Sequence, residues 1–106
     1  MYNWSMRSVY LIRGNDGKYK IGIARHPHQR IRQLQTGNPD EIKLIDTYES
    51  ENAFKIETFL HNQYSHFKSH GEWFDLSVTE EVNFRERCKT IDESLKFLKK
   101  TGNIFV

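Results

Sequence analysis

Tyr10, Lys20, Arg30 and Glu57 are the side chains whose types and spacing could do chemistry on an anionic substrate. A tyrosine acts as a base only as tyrosinate, and its reference pKa of about 10 leaves it roughly 4 kcal/mol short near neutrality. A neighbouring ammonium, guanidinium or metal-bound water supplies help in the required direction. Lys20 is one such neighbour, or serves as the base itself if its own pKa falls; the plain alternative is an ordinary cross-strand pair. Arg30 offers a planar guanidinium that suits a developing phosphoryl charge, unless it is a solvated helix arginine like Arg32. The chain around Pro27 and His28 adds the free N–H groups of a helix start to the same anion.

Glu57 is the most informative of the four. Ala53, Glu57, Leu60 and Tyr64 follow one another at helical spacing, so the glutamate lies in or beside an apolar stripe. A carboxylate there pairs with a cation or binds a metal. His61, one turn on, is placed to orient the site, bind a phosphate or pack. In "HGEWF", Trp73 and Phe74 read as packing residues, as do Tyr48 and Tyr64. There is no Gly-rich phosphate loop, nucleophilic triad or Cys/His metal motif.

The elements that must position these groups follow from local patterning. "SVYLIR" and "KYKIGI" bracket "GNDG", a hairpin signal. Matching apolar residues sets Val9 and Leu11 beside Ile21 and Tyr19, which puts Tyr10 directly across from Lys20. Pro27 opens a helix that carries Ile31 and Leu34 inward and stops at Gly37 and Pro39. "IKLIDTYE" reads as a third strand, and residues 52–67 as an amphipathic helix with Ala53, Ile56, Leu60 and Tyr64 on one face. "GEWFDL" reads as extended. A single long helix is expected over 77–100, opened by a Ser77–Glu80 capping box, with Val78, Val82, Cys88, Ile91, Leu95 and Leu98 inward. The tail "TGNIFV" would end it and tuck back onto the body.

At 106 residues and 37% hydrophobic content, one compact α/β domain spanning 1–106 is expected. No apolar run has membrane-spanning length, and the start "MYNWSMRSVY" lacks a signal-peptide core. The lone Cys88 forms no internal disulfide, which points to the reducing cytoplasm. Net charge is +2, but its distribution is uneven. Residues 1–35 carry seven Lys/Arg against the single acid Asp16, whereas residues 36–106 carry nine against thirteen acids. That asymmetry suits a basic face meeting a polyanion, or a merely solvated surface.

In this order and spacing, "VYLI", "YKIG", "RIRQLQTGNP", "IETFLHNQYSHF" and "GEWFDLS" resemble the GIY-YIG endonuclease family, in its small phage and bacterial branch (T5orf172, or Mug113-like). The resemblance covers about Val9 to Ser77, with a helix and tail added over 78–106. It implies a three-stranded antiparallel sheet flanked by helices and Mg²⁺- or Mn²⁺-dependent cleavage of a DNA phosphodiester. By resemblance the GIY tyrosine is Tyr10, the helix arginine Arg30 and the metal-binding glutamate Glu57. Lys20 stands where the general pattern has its second tyrosine, and lysine is usual there in this branch; Ser8 replaces the first glycine. The implied reaction is a single-metal in-line attack by water, with Tyr10 and Lys20 handling the proton. Tyr19, Arg25, His26, His28, Arg32 and His61 would contact the substrate. A catalytically weak module binding nucleic acid or another phosphate-bearing ligand is the alternative, and a protein-interaction factor using the C-terminal helix a third. With about thirty residues after the family-like region, specificity would be low or supplied by a homo-oligomer or a protein partner.

Overall fold

A computed structural model describes residues 6–102. Three antiparallel strands lie in the order β2-β1-β3, with β1 at Arg7–Gly14, β2 at Tyr19–Ala24 and β3 at Ile42–Ser50. Between them runs α1, Pro27–Thr36, with its proline in the first turn as expected. Then come α2, Ala53–Gln63, a 3₁₀ turn at Ser65–Phe67, α3, Val78–Val82, and α4, Phe84–Lys100. The sheet flanked by helices and the added C-terminal helix agree with the fold expected from sequence. No helix among the described residues is long and apolar enough to cross a membrane. The called-for tuck of the tail falls on residues 103–106, outside the described residues.

Alternation along the strands sends apolar side chains to both faces. Val9, Leu11, Tyr19 and Ile21 meet α2 and α4 through Ile56, Leu60, Phe84 and Cys88 in the main core. Tyr10, Ile12 and Ile42 form a smaller cluster on the other face, covered by Ile31 and Leu34 of α1 and by Trp73. The sheet is therefore the middle layer, and Tyr10 belongs to the α1 side.

Two expectations are corrected. The hairpin register is Tyr10↔Gly22 and Ile12↔Lys20, two residues away from the apolar match, so Lys20 is not directly opposite Tyr10. Turn geometry decides this. Gly17 adopts φ +83 and closes onto Gly14, with the Asp16 carboxylate accepting from the Lys18 N–H. A slip of two preserves every side chain's face, so Tyr10 and Lys20 remain diagonal neighbours on one surface.

The long helix is also broken, at Asn83 between α3 and α4. Val78 and Val82 point outward, at 68% and 72% exposure, and Leu98 lies at the surface. Glu80 and Glu81 face inward instead. Glu80 accepts from Tyr64 and pairs with Arg87, so it does not cap α3 through its side chain, and Glu81 accepts from Tyr19 and pairs with Arg13. Two tyrosine–glutamate–arginine links thus hold α3 with its carboxylates inward, overriding the apolar periodicity.

Candidate active site

The Tyr10 ring lies against Gly22. A Cβ at that glycine would come 2.5 Å from Tyr10 Cζ and closer still to its hydroxyl, so only glycine fits beneath the ring. The side chain is buried, yet its hydroxyl has no hydrogen-bond partner among the described residues. Nor is that hydroxyl sealed in: the one fully enclosed side-chain nitrogen or oxygen left unpaired among the described residues is Arg87 Nε. Tyr10 therefore offers a polar tip at the rim of the sheet. Lys20, on the same surface, lines a concavity with Ile12, Leu34, Ile42 and Trp73, and its Nζ lies 3.2 Å from a Glu72 carboxylate oxygen.

Glu57 occupies α2 between the buried Ala53 and Ile56 and the buried Leu60, and is itself half-buried. Its carboxylate takes part in no hydrogen bond or ion pair among the described residues. Burial holds that carboxyl above the ordinary carboxylate range; the His61 ring opposes the rise and the Glu72 carboxylate adds to it. His61 donates from Nε2 to the Ile21 carbonyl oxygen at 2.8 Å and meets the Phe74 ring edge-on, so β2's free edge fixes its orientation. Glu72 is thus the group that relates Lys20 to Glu57, and sequence reading passed over it. The only signal was its place after Gly71 and before two aromatic anchors.

The remaining candidates divide. Arg25, His26, His28 and Arg32 border one shallow basic concavity with Pro27 and Gln29 at the start of α1. Arg30 projects from the same helix, exposed and without a side-chain partner among the described residues. Tyr19 goes elsewhere. It is 3% exposed on the opposite face, and its hydroxyl donates to Glu81 at 2.8 Å, so it holds α3 and does not present itself to a ligand. A larger groove between α2 and α4, lined by Phe59, Ile91, Leu95 and Leu98, contains none of the candidate residues.

Among the described residues no three His, Cys, Asp or Glu side chains converge on a metal position. A half-buried carboxylate with no hydrogen bond or ion pair among the described residues is a donor of the kind that fits magnesium or manganese. Magnesium keeps much of its water and is commonly held by one or two carboxylates.

The T5orf172 domain family matches residues 7–89, from the first strand into α4. The chain belongs to that family. T5orf172 domains are nuclease-like and related to the GIY-YIG group, and the match extends past Ser77, where the sequence resemblance stopped. The chain is also similar to a putative KilA-N domain-containing protein, 315L, of Invertebrate iridescent virus 6. They are 29% identical over 75 residues, which is 66% of this chain and 32% of the viral protein. The T5orf172 chain thus spans about a third of that relative's length. No solved structure matches it.

Proposed function

We propose that this T5orf172 domain is a metal-dependent DNA endonuclease that hydrolyses phosphodiester bonds by in-line attack of water. The observation that carries the reading is Glu57: a half-buried carboxylate, raised in pKa by burial, with no hydrogen bond or ion pair among the described residues. Glu57 would hold one Mg²⁺ or Mn²⁺. When bound, the metal supplies positive charge to neutralise the leaving 3′-oxygen.

The chain's own groups do the rest. Arg30, unpaired and exposed, binds non-bridging phosphoryl oxygens, whose charge grows in the transition state. Tyr10, fixed over Gly22, accepts a hydrogen bond from the attacking water, with Lys20 on the same surface to share in handling the proton. The basic concavity of Arg25, His26, His28 and Arg32 tracks flanking phosphates, while the His61 Nε2 is engaged by the Ile21 carbonyl of β2. The products would carry 5′-phosphate and 3′-hydroxyl ends.

A second reading, a catalytically weak module for nucleic acid or another phosphate-bearing ligand, draws on that same concavity, which grips a phosphate without a metal. Cleavage of supercoiled, linear and branched DNA with Mg²⁺ or Mn²⁺ separates the two. Metal-dependent cutting that is lost in both Glu57→Ala and Tyr10→Phe is the expected result. Salt-sensitive binding with no cutting of any substrate would transfer the assignment to the binding module.

A further inference from the structure

The proposed endonuclease reading leaves Glu72 without a task. This residue sits at the tip of a tight turn, after Gly71 at φ +57, where the Trp73 N–H donates to the His70 carbonyl and the Ser69 N–H to the Trp73 carbonyl. Both residues that follow it are anchored. Trp73 packs into the Tyr10–Ile12–Ile42 cluster, and Phe74 is 1% exposed in the main core and exchanges two backbone hydrogen bonds with Tyr19. The turn is therefore fixed to the sheet on both faces, and it delivers the Glu72 carboxylate to Lys20 at 3.2 Å.

The two partners are unequal. The Lys20 side chain is 20% exposed and the Glu72 side chain 73%. The mostly buried Lys20 side chain lines the concavity that Trp73 also borders, whereas the exposed carboxylate can rotate into water at little cost, because an exposed partner contributes weakly to an ion pair. An anionic oxygen of the substrate satisfies the same ammonium equally well.

We infer that the Glu72 carboxylate is an internal stand-in for a DNA phosphate at Lys20, displaced when the nucleic acid docks. Glu72 is then a specificity-determining residue: it keeps the Lys20 side chain aimed when no DNA is bound, and it makes a single weak anion compete poorly. A polyanion held at several points along the basic concavity pays that displacement once.

The inference rests on the endonuclease or binding reading of the same site, and a binding cycle separates the two. Affinity for a short duplex DNA is measured with Ca²⁺ in place of Mg²⁺, at low and moderate salt, for the full chain and for Glu72→Gln, Lys20→Gln and the double variant. Glu72→Gln is expected to bind about three- to fivefold more tightly at low salt, as loss of an exposed ion pair allows. In the Lys20→Gln background the same change should have almost no effect. An equal gain in both backgrounds, or none in either, overturns the stand-in role and leaves only a general change of surface charge. Absence of DNA binding by every form, with melting curves showing folded protein, overturns the nucleic-acid reading itself and this inference with it.

Discussion

The two faces of the sheet treat their tyrosines in opposite ways. On the α2–α4 side, Tyr19, Tyr48 and Tyr64 each donate a hydroxyl to a carboxylate, Glu81, Asp92 and Glu80 respectively. Burial, then the partner's negative charge, makes all three harder to ionise, and Tyr48 is pushed up to about 12. On the α1 side, Tyr10 has no carboxylate partner and shares its surface with Lys20. The carboxylates also divide, though not by face, since Glu57 is carried on α2. For Asp92, burial alone would raise the pKa, but hydrogen bonds from Asn52, Tyr48 and Ser50 and the Lys96 charge outweigh it and hold it low. For Glu57, burial prevails. Tyr19, Tyr48, Tyr64 and Asp92 hold elements together, whereas Tyr10 and Glu57 have no hydrogen-bond or ion-pair partner among the described residues.

The sharpest test exchanges hydroxyls across that divide. Tyr10→Phe should lower metal-dependent DNA cleavage by about 10²–10⁴-fold, the usual range for losing a positioned acid or base. It should leave denaturant midpoints unchanged, since the Tyr10 hydroxyl has no partner among the described residues to lose. Tyr64→Phe should do the reverse: cleavage is retained, while stability falls by about 1–2 kcal/mol because Glu80 loses a donor. Equal destabilisation by both changes would erase the distinction between the faces.

Next in size is Asp92→Asn. Asp92 is 1% exposed and ties Tyr48, Ser50 and Asn52 together where β3 passes into α2, with Ser50 in turn accepting from the Asn52 N–H. An amide cannot accept from all three donors, so the variant should lose about 2–3 kcal/mol near pH 7. The sign with pH follows from the lowered pKa. Asp92's stabilisation is fully present above the unfolded value near 4 and is lost as pH falls through the lower folded value. Urea unfolding of both proteins from pH 7 down to 3 should therefore show the gap narrowing only at the acid end.

Much of this division was legible in the sequence where it depends on local pattern. Period-two alternation placed Tyr10, Lys20 and Gly22 on one face and Tyr19 and Ile21 on the other, and Pro27 and Gly37 bracketed α1 correctly. The register was not legible from apolar matching, because a two-residue slip leaves the faces identical and the Gly17 turn makes the choice. The outward valines of α3 escaped for a different reason. Helical periodicity predicts that Val78 and Val82 turn inward, but Glu80 and Glu81 find partners in Arg87 of the next helix and in Tyr64, Tyr19 and Arg13 of earlier elements. The Glu72–Lys20 contact is of the same kind: Lys20 stood out in the sequence, but its carboxylate partner is identified only when the sheet and the Trp73 turn bring the two together.

The smallest expected effect concerns the two carboxylates and has opposite signs. Glu57's folded pKa lies above its unfolded value, so the ionised group disfavours the fold. Its contribution is most favourable below the unfolded value near 4 and declines as pH rises through the folded value. Glu57→Gln should accordingly melt at the same temperature as the parent or slightly higher at pH 7, and lose that advantage below pH 4, whereas Asp92→Asn is destabilising at neutrality. Adding Mg²⁺ or Mn²⁺ brings the contrast back toward the parent. A cation bound by the folded chain at ten times its dissociation constant stabilises by about 1.4 kcal/mol, and the glutamine variant should gain none of it. If the metal raised the melting temperature of the parent and of Glu57→Gln equally, Glu57 would not be the metal's ligand. Its unpaired carboxylate would then be a local cost of α2 packing, with no part in an open site.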